Sequence, residues 1–235
     1  MYNPASFAEH DLATLHAFLQ RQSFATMISS GDGGLVASHL PLLLDTKSSA
    51  LGLLFGHMAR ANSQWRRIDG EVLAVFHGPH TYISPAWYEE PGLVVPTWNY
   101  VAVHVHGCFQ PIEEREELLK LLRRSIAFYE GSRPQPWSLD IAGERLEGLL
   151  RSIVGFRIEI SRIEGKWKLS QNHSEERRRK LIRALREQEG DDARTIVTLM
   201  EQTLTGSERE HDSRWCPARS RDFTETISAN HCEPA

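Results

Sequence analysis

The spacing of hydrophobic residues changes several times along the chain, and each change marks an element. Leu12, Leu15, His16 and Leu19 fall on one face at helical spacing, behind Pro4 and a candidate cap, Asp11. That pattern predicts a short amphipathic helix. The period then drops to two. Residues 24–29 run into Ser30-Gly31-Asp32-Gly33-Gly34, a hairpin signal because glycine supplies the positive φ that tight turns need. A long strand follows over 35–44, where Pro41 has no N–H for a ladder and marks an edge or a bulge. A third strand over 51–57 completes a meander.

Residues 58–70 have helix-like polarity and end at Gly70. The next strand, 71–77, is mostly apolar, as a strand buried on both faces should be. Residues 78–97 read as a long loop rich in Pro, Trp and Tyr, and 98–110 as the longest strand. There Val101, Val103, Val105 and Phe109 form a core face. The opposite set, Trp98, Tyr100, His104, His106 and Cys108, is aromatic and polar, and is expected to meet a ligand or another subunit. Residues 113–130 predict an amphipathic helix with Leu118, Leu121, Leu122 and Ile126 inward. A loop over 131–140, a helix over 141–152 and a last strand over 153–164 follow, the strand leading into 165–172. Six strands with helices in the gaps describe a small, closed antiparallel barrel with helical decorations.

From His173 the character changes. Residues 175–189 and 191–204 read as two helices with few large apolar residues, and 206–235 as a polar tail without periodicity, expected to be poorly ordered. The expected division is a domain over 1–172, a helical arm over 173–205 and a tail over 206–235.

Composition narrows the function classes. The 235 residues carry 27 Lys and Arg against 31 Asp and Glu, a net charge of −4, which excludes a polycation that binds nucleic acid by overall charge. The run Arg177-Arg178-Arg179-Lys180 with Arg183 and Arg186 is offset by Glu175, Glu176, Glu187 and Glu189. Such a segment reads as a salt-bridged helix, with DNA contact the minority alternative. No apolar run approaches the roughly 20 residues of a membrane-spanning helix. The first residues, MYNPASFAEHDL, have neither the basic nor the apolar region of a secretory signal. Three cysteines without a CxxC pair suit reduced thiols and a cytoplasmic location.

Three segments carry candidate chemistry. Gly56–Arg66 lies where a strand gives way to a helix, a place whose free N–H groups suit a phosphate, with Arg60 and Asn62 adding donors. The alternative is an ordinary polar connection with an Asn cap. Residues 82–88 and 96–100 concentrate aromatic surface and hydroxyls, suited to a planar heteroaromatic cofactor or simply to packing of a long loop. In 165–172, Lys166, Lys168 and Ser170 alternate with Trp167, Leu169 and Gln171. The first set would neutralise a phosphate, unless the segment is only a solvated exit. His104-x-His106 and His77-x-x-His80 lack the third and fourth convergent ligands that a metal wants, and no G-x-S-x-G elbow occurs.

The strings MYNPASF, SHLPLLLD (38–45), GHMARANSQW (56–65), FHGPHTYISPAWY (76–88), VPTWNYVAVHVHG (95–107) and VGFRIEISRIEGKWKLSQN (154–172) together resemble the PaiB-type FMN-binding family, often described as negative transcriptional regulators. The resemblance covers about residues 1–187. It implies a six-stranded FMN-binding split barrel related to pyridoxamine-phosphate oxidase, and a cytoplasmic homodimer with FMN at the subunit interface. By position it implies phosphate and ribityl contacts from His57, Arg60 and Asn62, with Trp65 closing that corner. His39, Ser84, Trp98 and Asn99 become candidates for the flavin surroundings, and Lys166, Lys168, Ser170 and Gln171 would reach in from the partner subunit. The tail beyond about 205 does not share the resemblance. The functional expectations are an FMN-binding regulator, a flavin-dependent oxidoreductase of the flavin-reductase type, or a non-catalytic module for FMN or haem.

Overall fold

The computed structural model describes residues 1–31, 33–88 and 94–205; the tail expected over 206–235 lies outside them. A 3-10 turn at Ala5–Phe7 leads into β1 (Ala8–Glu9) and α1 (Leu12–Arg21). Asp11 caps α1 as its position predicts, accepting from the Thr14 N–H at 2.8 Å. The meander follows as β2 (Phe24–Gly31), β3 (Gly34–Pro41), β4 (Leu43–Asp45) and β5 (Leu53–Ala59). Next come α2 (Gln64–Arg67), β6 (Glu71–Ile83), β7 (Thr97–Ile112), α3 (Arg115–Glu130) and α4 (Gly143–Arg151). The described chain ends with β8 (Ile153–Lys168), α5 (Glu175–Arg186) and α6 (Asp191–Gln202).

The strands form one antiparallel sheet in the order β3-β2-β6-β7-β8-β5-β4, with β1 added on β8. Its two outer strands, β3 and β4, are separated by Leu42 alone. One residue spans only a few ångströms, so the sheet bends round until its ends meet. No ladder joins β3 to β5 among the described residues. The barrel is therefore split along this seam, which corrects the closed barrel that periodicity suggests.

Eight strands replace the expected six. The missing N–H of Pro41 divides the apolar run 35–44 into β3 and β4. The N-terminal residues supply β1, pairing Ala8 with Lys166. The expected helix over 58–70 shrinks to the four residues of α2. The first part of the expected loop 78–97 is strand: β6 continues to Ile83 through a register shift between His77 and His80. Gly78 sits in that shift, where a Cβ would lie 2.8 Å from the Phe18 ring, so only glycine lets α1 press against β6 there.

Phe18, Met27, Leu54, Phe76, Val103 and Phe156 lie in one core inside the bent sheet, and Leu181, Leu185 and Met200 of α5 and α6 belong to the same cluster. A second cluster lies outside the barrel wall, where α3 and α4 cover Leu53 and Phe55 of β5 with Leu118, Leu121, Leu146 and Leu150. Burying each such side chain stabilises the fold by roughly 1.5–3 kcal/mol. No helix among the described residues is long and apolar enough to cross a membrane.

Candidate functional site

The end of β8 carries Lys166 and Lys168 on one face. Lys166 is only 7% exposed. Its ammonium donates to the Tyr2 carbonyl at 2.9 Å and stands about equally over the Tyr2 and Tyr100 rings, at 5.4 and 5.5 Å. Lys168 donates to the Trp98 carbonyl at 2.8 Å and to the Thr97 hydroxyl. Burial, and then the neighbouring Lys166 charge, hold its pKa below the ordinary lysine value. Neither ammonium forms an ion pair with a carboxylate among the described residues. Two partly desolvated cations without a counter-charge are costly by themselves and favour an anion.

Beside the lysines stands an aromatic shelf. Trp98 remains 51% exposed, with Tyr82 edge-on to it at 5.9 Å and His80 tilted at 6.1 Å. Under the shelf, Asn99 is fully buried and takes the Ser170 hydroxyl proton at 3.0 Å. Ser170 has φ of 65°, the one positive φ among described non-glycine residues. That left-handed conformation costs roughly 1–2 kcal/mol and fixes the turn that ends β8. Gln171 completes the turn, accepting from the Leu169 N–H at 2.7 Å and donating to the Trp167 carbonyl at 2.6 Å. Asn99, Ser170 and Gln171 thus support the shelf, while Trp98 forms it.

A second group gathers where β5 runs into α2. Arg60 donates to Glu113 at 2.6 Å and to the Ile153 carbonyl at 3.2 Å, and the Trp65 indole donates to the Arg60 carbonyl at 3.2 Å. Asn62 donates to the Ser38 hydroxyl at 2.9 Å and accepts from the Gln64 N–H at 3.0 Å. Gln64 is 1% exposed. Its amide donates to the Val36 carbonyl at 3.2 Å and the Ser29 hydroxyl at 3.0 Å. These bonds bridge the split seam. Sequence reasoning passed over Ser38 and Gln64 although both lie in quoted strings, because a polar residue gives no sign that it will be buried. The short α2 offers no full helix terminus for a phosphate, so any anion held here relies on side chains.

The remaining candidates stand elsewhere. His39 is exposed on β3, its Nδ1 3.0 Å from the Thr26 hydroxyl and its ring stacked on Phe24. Ser84 accepts from the Ala86 N–H at 3.2 Å, capping the 3-10 turn Pro85–Trp87. His57 points outward from β5 into a cleft beneath α3, and burial lowers its pKa. His106 lies 3.4 Å from both Glu71 and Glu164. Nevertheless, no group of three or more metal-ligating side chains occurs among the described residues.

The Arg60 group and the lysine pair occupy opposite ends of β8. Ala59 pairs with Ile153 and Ala102 with Lys166, a separation of roughly 40 Å measured along the strand.

A family model described as "Putative FMN-binding domain" matches residues 1–162. Protease synthase and sporulation protein PAI 2 of Bacillus subtilis is 37% identical over 207 residues, spanning 87% of this chain and 98% of that protein. An uncharacterized protein of Aspergillus fumigatus is 31% identical over 222 residues, spanning 73% of this chain and 85% of that protein. Among solved structures, the flavocytochrome Anf3 of Azotobacter vinelandii aligns with a TM-score of 0.52 at 12% identity, over 68% of this chain and 69% of that one. At that identity the likeness concerns the fold.

Proposed function

The chain belongs to the PaiB-type FMN-binding family, and on that premise we propose that two copies of it hold FMN between them in the cytoplasm. The observation that carries this reading is the Lys166–Lys168 pair, two cations without a carboxylate, set beside the exposed Trp98 ring. A phosphorylated planar cofactor supplies both missing partners, a negative charge for the ammonium groups and a flat face for the indole. Arg60, Asn62 and Trp65 form the other half of the site. Their separation along β8 prevents one protomer from gripping one cofactor with both halves, so the second half comes from the partner. His39, Ser84, Asn99, Ser170 and Gln171 shape the surroundings. When bound, the flavin supplies hydride and single-electron transfer, while the chain's own residues bind, orient and shield it.

The output we favour is regulatory, supported by the sporulation role in the name of the Bacillus subtilis relative. The basic run on α5 gives direct DNA contact little support. Arg178 is buried against α6, while Arg179, Lys180 and Arg186 pair with Glu175, Glu176 and Glu201.

Titration of the purified protein with FMN, followed by visible absorption and by solution mass, tests the reading. Saturation at one flavin per subunit of a dimer is expected. A monomer whose spectrum and heat stability ignore FMN would refute it. Mobility-shift assays with and without FMN then separate regulation through DNA from regulation through a protein partner.

A further inference from the structure

The outward side chains of β5 are Leu53, Phe55 and His57. α3 and α4 bury the first two in the outer cluster, but that cover stops short of His57. α3 itself runs on, and its apolar stripe continues through Leu122, Ile126 and Tyr129. Under this overhang is a cleft of about 340 Å³, bounded below by Leu43 and His57 and on one side by Trp137. The volume falls within the roughly 300–1,000 Å³ of small-molecule sites. Trp137 is held in place, its N–H donating to Glu130 at 3.0 Å while Arg133 takes the other carboxylate oxygen at 3.2 Å.

The polar groups of the lining select the ligand. The Ser125 hydroxyl donates to the Leu121 carbonyl at 3.0 Å, the Tyr129 hydroxyl to Ser23 at 2.9 Å, and both oxygens of Glu130 are engaged. The His57 ring makes no hydrogen bond among the described residues. Burial disfavours its protonation, and a neutral imidazole offers one donor and one acceptor. No lysine or arginine lines the cleft, so an anionic headgroup would enter without a counter-charge.

We propose that this cleft is a second small-molecule site, separate from the flavin site, which takes an uncharged planar aromatic molecule bearing a hydroxyl or carbonyl for His57. The aliphatic stripe of α3 and the Trp137 indole clasp the ring, and the imidazole orients it.

The test uses the full chain with 2-naphthol as the probe and 2-naphthalenesulfonate as its anionic counterpart, by calorimetry with and without saturating FMN. Saturable binding of 2-naphthol at one per subunit is expected, unchanged by FMN, with no measurable binding of the sulfonate. Ile126→Trp fills the cleft and Trp137→Ala removes its wall, and each should weaken 2-naphthol binding by at least about tenfold. Trp137→Ala lies in a loop and keeps the test valid if Ile126→Trp folds poorly. Lack of saturable binding, equal binding of the sulfonate, or indifference to Trp137→Ala would overturn the proposal. Competition by FMN would also overturn it, by assigning the cleft to the cofactor. A protein that ignores FMN but binds 2-naphthol leaves this site standing while the flavin reading falls.

Discussion

The hydroxyl of Ser38 on β3 donates to the side-chain carbonyl of Gln64 at 2.6 Å, and this bond closes the seam that the β-ladders leave open. Gln64 reaches β2 as well, through the Ser29 hydroxyl, while Asn62 grips Ser38 from the same turn. A three-residue polar ring therefore does what backbone hydrogen bonds do in a closed barrel, and it fixes the turn that presents Arg60 and Trp65.

Replacing Gln64 by leucine leaves the Ser29 hydroxyl and the Val36 carbonyl without its amide. Each buried group so orphaned costs about 1–3 kcal/mol. Equilibrium denaturation of Gln64→Leu should show a loss of about 2–4 kcal/mol, with Ser38→Ala losing less because only one member of the ring is cut.

The lysine pair should behave in the opposite sense. Lys166→Met removes a buried ammonium that has no carboxylate, so the flavin-free protein should be no less stable than the natural one. FMN affinity should nevertheless fall at least about tenfold, in keeping with the roughly 1.5–3 kcal/mol of a charged hydrogen bond. Paired denaturation and FMN titrations check both halves. A large loss of stability with unchanged affinity would mark Lys166 as structural.

Arg178 gives a third expectation. It is buried and its Nε has no partner, while its other nitrogens face the Thr203 hydroxyl and the Met200 carbonyl. Those two acceptors also bond one another, with Thr203 donating to Met200 at 2.7 Å. Arg178→Met therefore strands no polar group, and its measured stability should lie within about 1 kcal/mol of the natural chain.

Stability should also fall as the solution is acidified from near neutrality. Burial lowers the pKa of His57, His104 and His173, and the N-terminal ammonium adds to the effect at His104. The unfolded chain then binds protons that the folded chain resists, so stability is full above the ordinary histidine value of 6.5 and declines below it until the folded pKa values are passed. Denaturant unfolding across pH should show this limb, and His104→Gln should make it shallower.

Much of the fold was legible from period alone. The alternation at Val101, Val103 and Val105 marked a strand with one buried face, and these residues are buried. The Asp11 cap was equally readable, because it depends on a bond between residues three apart. The extension of β6 past Gly78 was not, since it depends on how closely Phe18 of α1 approaches. In the candidate site, the alternation of Lys166 and Lys168 was visible, but the absence of a carboxylate beside them depends on which distant segments fold nearby.

The sequence by itself determined the strands, the helix caps and the chemical types available for a cofactor, because hydrophobic period, capping and side-chain chemistry are local properties. Tertiary structure alone decided that Asn62 and Gln64 would bridge a seam, that the Arg60 turn and the lysine pair would stand at opposite ends of β8, and that α3 would overhang His57. Each of these depends on contacts between residues far apart in the chain. Their geometry follows from the way a twisted sheet bends round its core.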